Sequence, residues 1–387
     1  MDAIGPAGNG AAEPAISKPL DCFASASAKD PLTLSLSPLG RGDPITCAAG
    51  NSGVPSPRPH PLAGAAAKDV SSPRRADAER DRMRGDFTNQ STGSDIAVDV
   101  CICTYRRPQV LEAIHSVAKQ VLPPHIRVRL VIADNSAEAS ARDLVAGLAN
   151  KFAIAVHYLH APGANISIAR NACLDFAEGD WIAFLDDDEL ASPGWLANLL
   201  ANGASADIVF GPVQAIYGDA APHWLRSGGY HSARVVYRNG RIDTGYAGNV
   251  LMRRSAVEAA DVRFDLHHGV SGGEDTMFFG KLAAAGLRLA EAPEALATEP
   301  VPDQRATLQW LARRFLRSGR SHAEMVLATS GAGVSPARAC VSGAKAGACA
   351  AVAVGIAGFT SAWRRWFLRG LMHVGMAMRF LGVKALP

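Results

Sequence analysis

Apolar runs alternate with helical periodicities along residues 96–186. Four mostly apolar runs predict β-strands over Ile96–Tyr105, Arg127–Ser136, Ala153–Ala161 and Asp180–Asp186. Between them, apolar positions at helical spacing predict helices over Arg106–Gln120, Ala141–Phe152 and Ile166–Glu178. Strands that alternate with helices of this length predict an α/β fold with a doubly wound, mostly parallel sheet, and near-continuous apolar strands fit burial on both faces.

Shorter elements and loops follow up to residue 305. A short helix is expected over residues 194–203, with Ser192 as its cap and Pro193 as its first helical residue. The elements expected after it are a strand over Asp207–Tyr217, a long loop over 218–248, a strand that turns into a helix over Asn249–Ala260, and a glycine loop with a helix from about Glu274. A loop as long as 218–248 is usually functional.

The segments on either side of residues 95–305 have different patterns. Residues 1–94 are rich in Ala, Pro, Ser and Gly without a sustained period, which predicts a disordered or weakly ordered tail. Met83, just before the first strand, is an alternative natural start. The N-terminus has no basic start followed by an apolar core, which argues against a secretory signal.

Residues 306–387 predict a helical C-terminal region that associates with a membrane. The segment Ala346–Trp363 has no charged residue and barely reaches spanning length, and Gly347, Ala351 and Gly355 recur every four residues, which lets two helices approach closely. From Arg364 onward, basic residues accompany aromatic and apolar ones, as in helices that lie at anionic membrane surfaces. The alternative is a soluble helical cap on the preceding domain.

Composition and charge narrow the class of protein. A chain of 387 residues that is 48% hydrophobic can fill the cores of two or three domains, and a net charge of +3 gives no reason to expect nucleic acid as a partner. The 7 cysteines are scattered and lack the CxxC spacing of a zinc site, so reduced thiols in a cytosolic compartment are expected.

Candidate chemistry lies at the predicted carboxyl ends of the strands, where doubly wound sheets bind ligands. These ends carry Thr104–Arg107, Asp134–Ser136 and Asp186–Glu189, the last being four acids after a buried strand. In an extended segment Asp186 and Asp188 point to one side and Asp187 to the other, and two carboxylates on one side suit Mg²⁺ or Mn²⁺ together with a diphosphate. The alternative is that Asp188 or Glu189 only lies at the start of the next helix, where acids are favoured.

Five motifs then add a family resemblance. In chain order they are TYRR (104–107), ADNS (133–136), NISIARN (165–171), FLDDDE (184–189) and GGED (272–275). Their order and approximate spacing over residues 96–300 resemble the inverting glycosyltransferases of family 2, which have the GT-A fold and use nucleotide-activated sugars. The FLDDDE and GGED forms look most like bacterial exopolysaccharide glycosyltransferases, notably the succinoglycan-type glucosyltransferases.

The resemblance implies a role for each matching residue. The residues implied to bind the nucleotide sugar are Thr104, Tyr105, Arg107, Asp134, Asn165, Arg170, Asp186 and Asp187. Within this set, Asp134 accepts a hydrogen bond from uracil, Arg170 approaches the base or phosphates, and Asp186 touches the ribose. Asp188, with Asp186, holds Mg²⁺ or Mn²⁺. Asp275 is the implied catalytic base, with Glu274 beside it as a second catalytic candidate.

Each of these residue types also has an ordinary structural explanation. Asp134–Ser136 is a common turn sequence, and Arg170 taken alone is typical of a surface salt bridge. Glu274 and Asp275 follow two glycines at a predicted helix start, where acids interact favourably with the helix dipole. His267, His268 and Trp224 could contact phosphate, acceptor or sugar, but an exposed-loop position for the histidines and simple packing for the tryptophan are the favoured explanations.

The combined hypothesis is a metal-dependent, inverting transferase that moves a hexose from a UDP-sugar to a lipid-linked or glycan acceptor during exopolysaccharide or cell-surface glycan assembly. Processive members of the family carry a QxxRW signature, from which QWLARRF (309–315) departs, so addition of one sugar per encounter is predicted. The expected location is the cytoplasmic side of a bacterial inner membrane, otherwise the cytoplasm. The alternatives are another nucleotide-sugar donor, a protein or small-molecule acceptor, or a catalytically silent nucleotide-sugar binding scaffold.

Overall fold

A seven-stranded sheet forms the centre of the protein in a computed structural model, which describes residues 95–148, 151–331 and 333–383. The tail predicted over residues 1–94, with Met83, lies outside the described residues. The strands are β1 (Ile96–Thr104), β2 (Ile126–Asp134), β3 (Ala155–His160), β4 (Trp181–Leu185), β5 (Leu190–Ala191), β6 (Ile208–Phe210), β7 (Val213–Tyr217), β8 (Tyr237–Arg238), β9 (Arg241–Ile242), β10 (Asn249–Arg253), β11 (Leu289–Glu291) and β12 (Ala297–Val301).

The helices lie between these strands and after the last one. They are α1 (Val110–Ala118), α2 (Arg142–Ala146), α3 (Ile166–Phe176), α4 (Trp195–Asn202), α5 (His223–Gly228), α6 (Arg254–Ala260), α7 (Glu274–Ala284), α8 (Leu308–Ser330), α9 (Pro336–Ile356) and α10 (Trp363–Phe380).

The strand order of the central sheet is β11-β6-β10-β4-β1-β2-β3. Neighbouring strands are parallel except at β10, which runs antiparallel to both β4 and β6. A second sheet has the order β5-β12-β7, and β8 pairs with β9 in a short hairpin. The predicted fold class is confirmed: the sheet is mostly parallel, helices cover it, and a helical region follows it.

The sheet is buried on both faces because its strands are apolar on both faces. Val98, Val100 and Ile102 of β1 belong to one buried cluster, whereas the alternating Cys101 and Cys103 belong to the other. The last residues of β1, β2 and β4 are all buried. The polar residues that follow these strands therefore emerge together at one edge of a rigid layer.

Several predicted boundaries differ from the structure. Helix α1 starts at Val110 rather than Arg106, whose φ of 55° is not helical. Helix α4 starts at Trp195 with Gly194 at its N-cap, so Ser192 and Pro193 precede the helix. Helix α2 has only 5 residues. The predicted 218–248 loop contains the short helix α5 and the β8–β9 hairpin.

The strand predicted over Asp207–Tyr217 is two strands, because the chain leaves the central sheet at Gly211 and Pro212. Pro212 has no N–H for a ladder hydrogen bond. The backbone also passes close to another segment here, since a methyl group on Gly211 would lie 2.2 Å from the carbonyl oxygen of Ala295. Strand β7 consequently pairs with β12 in the second sheet.

Helices α8 and α10 pack together at glycines. A methyl group on Gly319 of α8 would lie 1.9 Å from the carbonyl oxygen of Met372, and one on Gly375 of α10 would lie 2.1 Å from that of Leu316. Methyl groups on Gly347 and Gly355 of α9 would meet no atom within 4 Å. The small-residue stripe predicted for helix packing is therefore on the outer face of α9.

Helix α9 is long and apolar enough to cross a membrane, and within the described residues it is the one helix that meets this test. Its apolar window has a mean hydropathy of 1.6, and only 22% of that window is buried. Val354 is 79% exposed, and Phe359, just beyond the helix, is 90% exposed. The apolar surface of α9 is thus largely uncovered.

Candidate active site

A cavity of about 810 Å³ opens at the carboxyl ends of β1 and β4. Its walls include the residues after β1, the acids after β4, the loop before α7 and one face of α8, together with residues from β7, β12 and the loops beside them. The predicted site residues that line it are Thr104, Tyr105, Arg107, Arg170, Asp186, Asp187, Asp188, Glu274 and Asp275. Asp134 and Asn165 are not among its lining residues.

The four acids after β4 form a turn rather than an extended segment. Strand β4 ends at Leu185, and the N–H of Glu189 donates to the carbonyl oxygen of Asp186 at 3.1 Å. The alternation expected for Asp186, Asp187 and Asp188 was therefore wrong, because it assumed strand geometry. The turn directs Asp186 toward Arg170, and it directs Asp187 and Asp188 toward Arg107.

Asp187 joins the acid turn to the end of β1. Its carboxylate accepts a hydrogen bond from the Thr104 hydroxyl at 2.8 Å and another from Arg107 Nη1 at 2.8 Å. The same Nη1 also donates to Asp188 Oδ2 at 2.7 Å. Burial raises the pKa of Asp187 to about 6, although Arg107 opposes the shift. Asp187 thus fixes two of the predicted nucleotide-binding side chains, while Tyr105 lies on the rim and is 41% exposed.

Asp134, the last residue of β2, is fully buried and does not line the cavity. It accepts hydrogen bonds from the Ser136 N–H and hydroxyl, from the Ala141 N–H, and from the Tyr158 hydroxyl. These four donors match the lone-pair capacity of a carboxylate. The turn explanation describes its contacts, and a uracil contact would have to replace one of these donors.

Asn165 caps helix α3. Its side-chain oxygen accepts from the Ser167 N–H at 3.0 Å, and its amide donates to the carbonyl oxygen of Leu266 at 2.8 Å. Its own N–H donates to the side chain of Asn135, which lines the cavity. Asn165 therefore helps to position Asn135 at the cavity without lining the cavity itself.

Arg170 links the acid turn to the start of α7. Its guanidinium is buried and donates to Glu274 Oε1 at 2.6 Å and to Asp186 Oδ1 at 3.3 Å. These contacts differ from the surface salt bridge suggested by its residue type alone, because the Arg170 side chain itself is buried. Glu274 is thus held in an ion pair with Arg170.

Asp275 has a different environment from Glu274. Its carboxylate lines the cavity and accepts hydrogen bonds only from Thr276, at 2.6 Å from the N–H and 3.4 Å from the hydroxyl, among the described residues. Burial, and next the charge of Glu274, raises the pKa of Asp275 to about 6. A carboxylate with such a pKa, open to a cavity, can accept a proton near neutral pH.

The corner beside Asp186 suits a divalent cation. Glu189 is buried, and no hydrogen-bond partner for its Oε2 exists among the described residues. A methyl group on Gly248 would lie 2.4 Å from Glu189 Oε1 and 3.0 Å from Asp186 Oδ2, so only glycine leaves this space open. Burial and the charges of Asp186 and Glu299 raise the pKa of Glu189 well above its ordinary value.

No cluster of three or more acids, histidines or cysteines that could hold a metal exists within the described residues. Mg²⁺ and Mn²⁺ need fewer protein ligands when phosphates are present, because one or two carboxylates with phosphate oxygens and water complete the coordination. Asp186 and Asp188 together with a bound diphosphate therefore fit such an ion.

Several lining residues were missed by the sequence analysis: His231, Glu299, Arg305, Trp310, Arg314 and Arg317. The signal for the last three is their spacing on α8, where residues three or four apart share a face. His231 is nearly fully buried and stacks on Trp310 with ring centroids 5.1 Å apart. Burial raises the pKa of Glu299 to about 7.

The remaining aromatic and histidine candidates lie outside the cavity. Trp224 packs edge-on against Tyr230, and the Arg364 guanidinium lies 4.8 Å from its ring centroid. His268 approaches Asp265 at 3.5 Å and Glu324 at 3.7 Å. The packing explanation therefore describes Trp224.

Comparison with known proteins gives one family and two curated relatives. The sequence model of Glycosyl transferase family 2 matches residues 99–260. The succinoglycan biosynthesis protein ExoM of Rhizobium meliloti (strain 1021) is 47% identical over 292 residues, which are 74% of this chain and 94% of that protein. The uncharacterized glycosyltransferase YwdF of Bacillus subtilis (strain 168) is 28% identical over 120 residues, which are 31% of this chain and 42% of that protein.

Solved structures of S. aureus TarS are also similar. Residues 1–349 of TarS in complex with UDP-GlcNAc align with a TM-score of 0.44 and 16% identity, covering 73% of this chain and 92% of that one. A longer TarS structure aligns with a TM-score of 0.44 and 18% identity, and this chain covers 53% of its length.

Proposed function

This chain is a glycosyltransferase of family 2, and from that premise we propose that it transfers a hexose from a nucleotide sugar, preferably a UDP-sugar, with inversion and with the help of Mg²⁺ or Mn²⁺. The observation that carries the proposal is the contrast at the start of α7. Glu274 is held in an ion pair with Arg170, whereas the neighbouring Asp275 keeps its carboxylate open to the cavity.

Asp275 acts as the base in a single displacement. The acceptor hydroxyl gives its proton to Asp275 while its oxygen forms a bond to the anomeric carbon of the donor. The bond from that carbon to the diphosphate oxygen breaks at the same time, and the diphosphate leaves with the electron pair. One displacement inverts the anomeric centre, and the transition state resembles an oxocarbenium ion by analogy with glycoside hydrolysis.

Asp186 and Asp188 would hold the cation in the cavity that Asp275 also lines. A bound Mg²⁺ or Mn²⁺ supplies positive charge that offsets the charge developing on the diphosphate. Arg170 contacts both Asp186 and Glu274, so it keeps the metal-binding acids and the base loop in one arrangement. Thr104 and Arg107, fixed by Asp187, border the same donor pocket.

The acceptor is proposed to be a lipid-linked or other glycan in exopolysaccharide or cell-surface glycan assembly, at the cytoplasmic side of a bacterial inner membrane. The likeness to a succinoglycan biosynthesis protein over most of both chains supports this assignment. The exposed apolar surface of α9 supports membrane association. The departure of QWLARRF from the processive signature supports addition of one sugar per encounter.

The test is a donor-hydrolysis and transfer assay over UDP-, GDP- and dTDP-sugars, with and without Mn²⁺. Asp275→Asn should lower kcat by about 10³-fold or more while the affinity for UDP changes less than about twofold, because the base acts on the acceptor. Asp188→Asn should remove the gain in UDP affinity that Mn²⁺ gives. Glu112→Gln, which changes an exposed acid on α1, is the matched control.

Retained turnover in Asp275→Asn would contradict the base assignment. A wild-type chain that binds UDP tightly yet releases none from any sugar would favour the silent scaffold instead.

A further inference from the structure

Helix α8 presents a polar stripe to the cavity. Trp310, Arg314, Arg317, Ser318 and Ser321 all line it, and their spacing of three or four residues places them on one helical face. The glycine loop before α7 holds this face close, because a methyl group on Gly273 would lie 2.4 Å from the Ser321 hydroxyl oxygen. Part of the C-terminal region thus forms a wall of the active site.

The arginines of this stripe lack matched acids. Within the described part of the chain, neither Arg314 nor Arg317 makes an ion pair or a side-chain hydrogen bond. Burial lowers the pKa of Arg314, and the charge of Glu299 only partly opposes this. Arg314 is half-buried, and a half-buried cation without a partner costs free energy, which an anionic ligand would offset. Arg317 is exposed and lines the same cavity.

Arg305 continues the cationic wall toward the acid turn. Its Nη1 lies 3.5 Å from Glu299 and 3.9 Å from Asp188, both long distances for an ion pair. The guanidinium carbons of Arg305 and Arg314 lie 5.9 and 5.4 Å from the Trp310 ring centroid, within range of cation–π attraction. Arg305, Arg314 and Arg317 therefore line the same cavity as Asp186 and Asp188.

His231 holds the Trp310 ring in place. His231 stacks on it, donates to or accepts from the Tyr217 hydroxyl at 2.9 Å, and contacts the Arg305 carbonyl oxygen through Nε2 at 3.0 Å. Since that carbonyl oxygen can only accept, His231 carries its proton on Nε2 when the bond forms. The imidazole therefore anchors both the backbone of Arg305 and the ring between the two arginines.

We propose that Arg305, Arg314 and Arg317 form a diphosphate-binding site that holds the leaving diphosphate of the donor. Guanidinium groups match phosphate oxygens in geometry and charge, and cations placed there stabilise the negative charge that grows as the anomeric bond breaks. The inference rests on the proposed function, and it assigns part of the C-terminal region to catalysis. A lipid-linked acceptor could bring a diphosphate of its own, so the experiment separates the two sources.

The experiment measures binding of UDP and UMP to the full chain by calorimetry, with EDTA present so that no metal contributes. Arg314→Gln and Arg317→Gln should each weaken UDP binding about tenfold and UMP binding less than about threefold, because only UDP has the second phosphate. Arg313→Gln is the matched control, since Arg313 is adjacent, exposed and absent from the cavity lining. Arg314→Lys should restore part of the preference for UDP.

Equal losses for UDP and UMP would overturn the proposal, since a merely structural role predicts them, and so would no loss at all. Inorganic pyrophosphate should compete with UDP in the wild-type chain. Pyrophosphate that instead binds beside UDP, in a manner that depends on Arg314, would assign the site to the acceptor and overturn the donor assignment. Because this experiment measures binding, it tests the arginine site even if the chain transfers no sugar in the assay of the proposed function.

Discussion

Glu274 and Asp275 are adjacent acids with opposite environments. The first follows Gly273 into α7 and turns toward the buried Arg170, whereas the second turns toward the cavity. Burial and then the charge of Glu274 raise the pKa of Asp275, and Arg170 lowers it, so burial and both neighbours set the pH at which the proposed base becomes active. A pair of acids with divided roles is a common device at active sites.

This pair predicts the acid limb of the pH–rate profile. A base must be deprotonated, and the pKa of Asp275 is raised to about 6, so kcat/KM should fall as pH drops through about 6. Glu274→Gln removes a repulsive charge and frees Arg170 to favour the Asp275 anion, so the limb should move to lower pH. Steady-state kinetics from pH 5 to 9 measure both. A limb near pH 7 that moves in Glu299→Gln but not in Glu274→Gln would assign the base role to Glu299, whose pKa is about 7.

The positions of single residues in the site could be predicted where a motif contains them. The directions of their side chains could not be predicted where a turn or a neighbouring residue sets them. The cluster of Thr104, Arg107, Asp186 and Asp188 could be expected, because they follow adjacent parallel strands. Asp187 could not, because the turn geometry rather than strand alternation directs it to Thr104. Arg314 was not predicted as a site residue for a similar reason, since the sequence does not show which face of α8 lines the cavity.

At the scale of elements, continuous apolar runs predicted the strands of the central sheet well. They did not predict where a run is divided between two sheets or where a helix ends. Strands β1, β2 and β4 coincide with the predictions within two residues at each end, because burial on both faces leaves a strong signal. The run 207–217 stays apolar across Gly211 and Pro212, so its pattern hides the change of sheet. The helix predicted over Ala141–Phe152 is longer than the 5 residues of α2, because helical spacing alone does not fix where a helix ends.

Glycines on α8 and α9 allow a matched test of helix packing. Gly319→Ala should destabilise the protein by about 2 kcal/mol, because its methyl group would lie 1.9 Å from the Met372 carbonyl oxygen. Gly347→Ala should be neutral or stabilising by about 0.5 kcal/mol, since its methyl group meets no atom within 4 Å and alanine favours helix. Denaturant unfolding measures both. Equal destabilisation by the two variants would mean that the stripe on α9 is covered.

At the scale of the whole molecule, the C-terminal region has two surfaces with different tasks. Helix α8 lines the active site with its polar stripe, while α9 exposes an apolar face to the outside. The boundary predicted between residues 305 and 306 stays a prediction, yet the cavity has walls on both sides of it. Membrane attachment through α9 would therefore act on a region that also carries Arg314, which couples the location of the enzyme to the geometry of its donor site.

Membrane attachment can be measured with vesicles of defined composition. The full chain should sediment with vesicles that contain anionic lipids and less with neutral ones, because Arg365 and Arg369 are exposed on α10, which packs against α9. Each basic residue near such a surface contributes about 1 kcal/mol, and binding should weaken as salt screens it.

Val354 is 79% exposed on α9 and Val121 is 81% exposed in the catalytic part, so Val354→Glu and Val121→Glu are matched changes. Val354→Glu should lower vesicle partition about tenfold through lost apolar burial and added repulsion, while Val121→Glu should leave it unchanged. A wild-type chain that stays in the supernatant with every vesicle would leave α9 without a membrane role and favour the soluble helical cap.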